Sequence, residues 1–447
     1  MSTSAAAYSD RQWSPQPRSE SVFETFLDAA LRSNERMKMF ADAMLGETAI
    51  RLRDIVDHVV TSSRMNDFSE AGWSGDERAL SNTEGMFPDI LAGERDIVVI
   101  RVESVADFVS RHGADGMIEG ASGGPMRRVA VFDKGESVAL HVIERNGYAG
   151  FDLPPDDPAE RRAARIHAQA FRSRRRQFDT VVQGLDHTDR LVEAAVGDLG
   201  PHRACHIWLE AERDYWMRRC RAGRIQKSRQ DGFGVGWCNI DHHTYDGSRE
   251  HFRRTIGILE RLGYELREML YAGELAGWGS QVLEQPVIGS TIFADVDLSP
   301  EELTVDFAHE GLDPLPKHRR AGLLSELLGE SILEAGLNHV AGLYDNERFR
   351  EIAASDGTRT MPPFSDMDDL YQELTEGDWD AVDPSRVDAL EAAGHIGADE
   401  AEKLRLQGSI VTHLENIERR NGYKGFNREG IDSVLRKLDP RAYHAAS

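Results

Sequence analysis

The stretch "CNIDHHTYDGSREHF", Cys238 to Phe252, decides how the rest of the chain is read. Its first half has the mixed polar and apolar character of a strand. From Ser248 onward, "SREHFRRTIGILERLGY" reads as an amphipathic helix, with Ser248 as its N-cap and Phe252, Ile256, Ile258, Leu259 and Leu262 on its apolar side. Adjacent side chains of a strand point to opposite faces. His242 and His243 therefore cannot share a task, and only one of them faces the interior.

A β/α alternation surrounds this stretch. Strands are predicted at "ACHIWLEAE", "GWCNIDHHTY", within "LREMLYAGELAGWGSQVLEQP", and at "GSTIFADVDL", "LNHVAGLYD" and "SIVTHLENIERRNG". Helices are predicted at "RAGLLSELLGESILEAG" and "NERFREIAAS", and a helical region with acidic loops from Asp366 to Leu406. A closing helix is expected near "REGIDSVLRKL". Upstream, Ser21 to Ser63 reads as helix, "DIVVIRV" as a strand, "ESVADFVSRHG" as a helix, and "RRVAVFDKGESVALHVIER" as two strands turning at Lys134-Gly135. The arginine-rich "PAERRAARIHAQAFRSRRRQFDTVV" reads as a helix with a solvated, salt-bridged face.

The chain also repeats itself. "HVIERNGYAGFD" from His141 and "NIERRNGYKGFN" from Asn416 each follow a predicted strand and share I-E-R and then N-G-Y-x-G-F. Further back, "VIRVESVADF" aligns with "HHTYDGSREHF", setting Ser104 against Ser248 and Phe108 against Phe252. A duplicated β-α-β-β unit is the simplest explanation. In that alignment Val98 stands where the second copy has His242, which places a single working site in the C-terminal half.

Composition narrows the function classes. The chain of 447 residues carries 53 basic and 77 acidic side chains, a net charge of −24 that disfavours nucleic acid and anionic membranes as partners. No apolar run is long enough to span a bilayer. The first twenty residues lack a hydrophobic signal core and read as a disordered tail. Cys205, Cys220 and Cys238 show no CxxC spacing and suit reduced thiols in a cytoplasm.

Three polar residues interrupt strands that could converge: His242 in "NIDHHTY", His339 in "LNHVAGLY" and Glu415 in "THLENIER". Two histidines and a carboxylate form the facial set that holds Fe(II) and leaves positions open for a substrate and dioxygen. With 16 histidines in the chain, a chance pair of strand-end histidines is the competing explanation. "GFGVGW" (Gly232–Trp237) precedes a strand instead of opening a helix, so it is not a dinucleotide loop.

"DHH…HF…LERLGYE" resembles the opening of a module of the vicinal oxygen chelate superfamily. "HLENIERRNGYKGF" is similar to the closing segment of 4-hydroxyphenylpyruvate dioxygenases, and "NHV" followed by the late E-I-E-R-like phrase resembles the 2-oxoadipate dioxygenase (hydroxyglutarate synthase) family. The resemblance implies an α+β protein of tandem βαβββ modules with helical insertions. It implies Fe(II) as cofactor, held by His242, His339 and Glu415, and a small-molecule substrate with O₂ as partners. His242 would then face the metal and His243 would face away. His413, on the same strand face as Glu415, would lie near the site, and Gln281 is a candidate substrate contact. The hydroxyglutarate synthases place a carboxylate-binding arginine four residues after the first His; Asp246 stands there, and Arg249 is the nearest substitute. The expected divisions are a tail over 1–20, a helical segment plus a degenerate first module over 21–200, and metal-binding catalytic modules over 201–447. The leading function is an Fe(II) dioxygenase acting on a 2-oxo acid or similar chelating molecule. The alternatives are a ring-cleaving dioxygenase, a non-redox metal-dependent isomerase or lyase, and a non-catalytic small-molecule binding protein. The sequence leaves the oligomeric state open, a homodimer included.

Overall fold

The computed structural model describes residues 12–427 and 435–442. Helices Pro17–Ser33 and Glu35–Thr48 lead into a first mixed sheet. Its strands are β1 (Val56–Thr61), β2 (Ser74–Gly75), β3 (Ala79–Ser81), β4 (Asp89–Ala92), β5 (Asp96–Arg101), β6 (Met126–Phe132) and β7 (Val138–Arg145), in the order β2-β3-β4-β1-β5-β7-β6. Four helices follow, Pro158–Arg172, Val181–Leu199, Pro201–Met217 and Arg221–Gly232. The second mixed sheet contains β8 (Ile240–Gly247), β9 (Glu265–Tyr271), β10 (Trp278–Gln285), β11 (Ser290–Asp297), β12 (His339–Leu343), β13 (Ser365–Met367), β14 (Leu370–Leu374), β15 (Asp378–Asp380) and β16 (Ser409–Arg419). Its order is β13-β14-β16-β12-β8-β11-β10-β9, with β15 pairing β16.

The strand order is modular. In the second sheet β8 is followed by helix Phe252–Arg261 and three antiparallel strands, the last of which, β11, returns parallel to β8. The unit then repeats: β12, helix Asn346–Ser355, β13, β14 and finally β16 parallel to β12. A parallel return needs a long crossover, which the helix and the intervening strands supply. The leading strands of the two units, β8 and β12, join antiparallel at the centre of the sheet. The first sheet has the same plan. β4 returns parallel to β1, β7 parallel to β5, and β1 and β5 join antiparallel at the centre. Its second unit is one strand short. The expected tandem βαβββ modules with helical insertions are thus present, in both halves of the chain.

Several elements differ from the sequence reading. Helix over Ser21 to Ser63 ends at Thr48, where Ala49 takes a left-handed conformation (φ 63°), and the β-branched run that follows becomes β1. Pro17–Ser33 starts inside the expected tail, and Trp13 is buried with its indole N–H on Glu268 Oε1 at 3.1 Å; residues 1–11 lie outside the described residues. "ACHIWLEAE" is the middle of helix Pro201–Met217, buried around Cys205, Trp208 and Leu209. A short apolar run fits a buried helix as well as a strand, and periodicity alone does not separate them. Asp366 to Leu406 contains β14 and β15 before its helices Pro384–Ala392 and Ala398–Gln407. Ser248 does not cap helix Phe252–Arg261; it precedes a turn in which its Oγ accepts from the His251 N–H at 3.3 Å. Two of the supposedly solvated arginines, Arg174 and Arg176, lie beyond helix Pro158–Arg172 and converge on buried Glu212 at 2.9 and 2.6 Å. The closing helix falls largely on residues 428–434, outside the described residues.

The duplication holds, but in a different register. β7 and β16, which carry the I-E-R phrases, occupy the same place in their sheets. Val98, however, lies on β5, the counterpart of β12, and the residue corresponding to His242 is His58. Asp57-His58 on β1 repeats Asp241-His242 on β8: His58 Nδ1 meets Asp57 Oδ1 at 2.7 Å and His242 Nδ1 meets Asp241 Oδ1 at 2.8 Å.

Candidate metal centre

Strands β16, β12 and β8 lie side by side, and their register assembles the centre. His242 stands opposite Ala341, and Ala341 opposite Glu415. Residues opposite one another share a face, so the imidazole and the carboxylate project over the small Ala341 side chain. His339, two residues before Ala341 on the same strand, projects from that face as well. His242 Nε2 and His339 Nε2 lie 3.2 and 3.0 Å from Glu415 Oε2 and 3.4 Å from each other. The three residues form a group that could hold a metal ion.

The donor set fits a divalent cation, because each prospective ligand has its other polar atom fixed. Asp241 Oδ1 holds His242 Nδ1 at 2.8 Å, Asn338 Oδ1 lies 3.1 Å from His339 Nδ1, and Gln372 Nε2 donates to Glu415 Oε1 at 2.8 Å. Outer partners of this kind set the tautomer and the ring orientation of metal-binding histidines. Behind Asp241, Arg419 donates to both its oxygens, at 2.7 and 3.1 Å, and also to the Tyr423 and Gly425 carbonyls. Burial alone would push His242 down, but the Glu415 and Asp241 carboxylates hold it up at about 9. Burial would push Glu415 up, and the two imidazoles bring it down to about 2. His339 is pushed below its ordinary value by burial. The His242 imidazole and the Glu415 carboxylate thus each favour the other's charged form.

The triad opens on a cavity of about 80 Å³ with mostly apolar walls, among them Leu270, Trp278, Phe293 and Phe426. Phe293 and Phe426 pack edge to face at 4.6 Å, and the His242 ring lies 4.7 Å from Phe293. Beyond the triad, the polar part of the wall includes Thr244, Ser280, Asp295, Arg320, Gln372 and Asn427. Arg320, the first residue of helix Arg320–Leu328, donates from Nη1 to Asp246 at 3.0 Å and to Asp295 at 3.3 Å, and its guanidinium lies 4.8 Å from the centre of the Trp278 ring. Asp297 fixes the start of that helix by accepting from the Arg319 and Ala321 N–H groups at 2.7 and 2.9 Å. Burial and the neighbouring Asp246 push the Asp295 carboxyl up to about 7.

His243 points to the other face of β8, as strand alternation requires. It is buried there, accepts from Arg213 Nη1 at 3.3 Å and is pushed well below its ordinary value, first by burial. His413 is buried on the triad's side of β16, with Nδ1 2.8 Å from the Thr375 carbonyl and its pKa pushed down to about 4 by burial. Gln281 is not at the cavity: its amide donates to the Glu268 and Val282 carbonyls at 3.1 and 3.2 Å, and its neighbour Ser280 faces the site instead. Arg249 is also elsewhere, bound to Glu302 and to the Asp297 and Asp313 carbonyls. Arg320 and Gln372 went unrecognised in the sequence. One lies in a helix with no motif, the other in a stretch read as helical.

Of the three donors, the first sheet keeps only His58, the counterpart of His242. By register, Ile97 corresponds to His339 and His141 to Glu415. Ile97 packs with Val99, Met126 and Ile143, so that face is filled by an apolar cluster.

Module order, the antiparallel meeting of leading strands and the ligand-bearing positions on them agree. This is the tandem βαβββ arrangement expected from the sequence resemblance. No family model matches the sequence, and no curated protein is similar to it at a significant level. Among solved structures, the chain is similar to hydroxyglutarate synthase from Oryza sativa in complex with 2-oxoadipate, at 12% identity and TM-score 0.32, covering 66% of this chain and 98% of that one. It is also similar to a triple mutant of 4-hydroxymandelate synthase from Streptomyces coelicolor, at 14% identity and TM-score 0.29, covering 76% and 93%. Methylmalonyl-CoA epimerase from Mycobacterium tuberculosis matches at 13% identity and TM-score 0.23, covering 41% and 89%. Among the described residues, no helix is long and apolar enough to cross a membrane.

Proposed function

We propose that this protein is a non-haem Fe(II)-dependent dioxygenase acting on a 2-oxo acid or a similar small molecule that chelates the metal through two oxygens. One observation carries this reading: two imidazole nitrogens and one carboxylate oxygen, each oriented by its own buried partner, converge at one end of an apolar cavity. Three protein ligands on one side leave the remaining positions to substrate and dioxygen. When bound, Fe(II) would supply dioxygen activation coupled to oxidative decarboxylation of the 2-oxo acid. The chain's own part is to orient and to exclude water. Phe293, Phe426 and Trp278 keep the cavity dry, and Arg320, braced by Asp246 and Asp295, sets one positively charged group on its wall for an anionic end of the substrate. In this reading Ser280 and Arg320 take the substrate-facing places first given to Gln281 and Arg249, and His413 supports the triad from its flank.

A non-redox isomerase or lyase is the second reading. It rests on Asp295, a wall carboxyl able to exchange a proton near neutral pH. Adding 2-oxo acids to the anaerobic Fe(II)-loaded protein, then admitting O₂, separates the two. A visible charge-transfer band followed by stoichiometric O₂ consumption supports the dioxygenase. Turnover without O₂ and with a redox-inert divalent metal supports the other.

A further inference from the structure

The two halves of the chain share a second cavity, of about 440 Å³, distinct from the one the triad opens on, although Asp241, which holds His242, lines it. Corresponding residues line it: Asp57 and Arg145 from the first sheet, Asp241 and Arg419 from the second. Each of these pairs is matched. Arg145 donates to the two Asp57 oxygens at 2.7 and 2.8 Å, as Arg419 does to Asp241. Other cations on the wall are met too: Arg53 by Glu20 at 2.7 Å, Arg267 by Glu268 at 2.7 Å and Lys424 by Glu284 at 2.9 Å.

One position breaks both the symmetry and the balance. Arg101, at the end of β5, corresponds by register to Leu343, at the end of β12, and both line the cavity. Leu343 shows that the architecture needs no cation at this place. Arg101 Nε lies 3.5 Å from Asp57 Oδ2, an oxygen already taken by Arg145, and makes no hydrogen bond. Nη1 reaches the Ile288 carbonyl at 3.4 Å. Asp89 also lines the cavity and forms no ion pair with Arg101 among the described residues. Two guanidiniums thus share one carboxylate. The Arg101 side chain is 36% exposed, so its fork stays reachable from solvent while only weakly matched by protein acceptors, and the group that best satisfies such a fork is a planar or tetrahedral oxyanion bound through two oxygens.

We propose that this cavity is a binding site for a small oxyanion, carrying a carboxylate or phosphate group, with Arg101 as its principal contact. The test is isothermal titration calorimetry on the full chain, with inorganic phosphate in one arm and malonate in the other. Saturable binding is expected in at least one arm, and the arm that binds identifies the oxyanion class. Binding should weaken at least tenfold in Arg101→Leu and in Arg101→Gln, two variants that guard against one misfolding. It should persist in Glu415→Ala, which disables the metal centre, and in Arg162→Leu, which removes an exposed charge on helix Pro158–Arg172. Three results would overturn the proposal: no saturable binding in either arm, unchanged binding in folded Arg101 variants, or binding that disappears with Glu415 and so belongs to the metal centre.

Discussion

His242 and His339 direct their Nε2 atoms at each other across 3.4 Å, with the same Glu415 oxygen within 3.2 Å of both. Two imidazole nitrogens facing across so short a gap suit a shared cation better than they suit each other. Single substitutions His242→Ala, His339→Ala and Glu415→Ala should each abolish stoichiometric Fe(II) binding at micromolar metal, read by metal analysis after gel filtration. A variant that retains its full metal content removes that residue from the ligand set. Gln372→Ala, which frees the other Glu415 oxygen, should weaken metal binding about 10–100-fold without eliminating it.

His243→Ala should leave the metal content intact. The side chain accepts a charged hydrogen bond from Arg213 on the opposite face, so the expected loss is about 1.5–3 kcal/mol of folding stability, measured by urea denaturation. Loss of iron in His243→Ala, with iron kept in His242→Ala, would mean that the strand register is shifted by one.

Ala341 sits between His242 and Glu415 in the strand register, and the gap above it is where the donors meet. Ala341→Leu should block metal binding while costing about 1–3 kcal/mol through overpacking. Ala341→Gly should keep the metal. Equal metal content in the two variants would show that the space over Ala341 is not what admits the ion.

The strand register that carries the triad was legible from "DHH", "NHV" and "HLE", because alternation in a strand leaves few choices for an inward-facing polar residue. The helix at "ACHIWLEAE" was not, since burial on all sides erases the periodicity that separates helix from strand. Arg320 was hidden for a different reason. Its place at the cavity depends on how helix Arg320–Leu328 docks against β8 and β11, a long-range contact with no local pattern. The mistaken pairing of Val98 with His242 came from aligning the first sheet's second leading strand with the second sheet's first, two strands of identical topological type.

Glu330 offers a pH test independent of the metal. It is buried, accepts from the Ser248 N–H at 3.2 Å, and burial pushes its carboxyl from 4.5 up to about 7. A raised carboxyl pKa means that the folded protein holds this proton longer than the unfolded chain. Its contribution to stability therefore falls as pH rises from 4.5 through about 7 and stays low above that. Glu330→Gln should flatten this part of the stability profile and gain about 1–3 kcal/mol relative to the parent at pH 8. Parallel profiles from chemical denaturation across that range would exclude the effect.

Asp57 and Arg145 in the first sheet keep the latch that Asp241 and Arg419 form in the second, complete with the same reach from the arginine to two carbonyls of the following turn. The first sheet closes that latch over a face filled with apolar side chains, with Ile97 where the second sheet has a histidine. A clasp that also forms where the set of three donors is broken, with His58 but no counterparts of His339 and Glu415, belongs to the scaffold. On the proposed reading, the chain would fold first and take up its ion afterwards. A chelator should then strip the proposed ion without unfolding the chain, checked by thermal denaturation of the Fe(II)-loaded protein with and without EDTA.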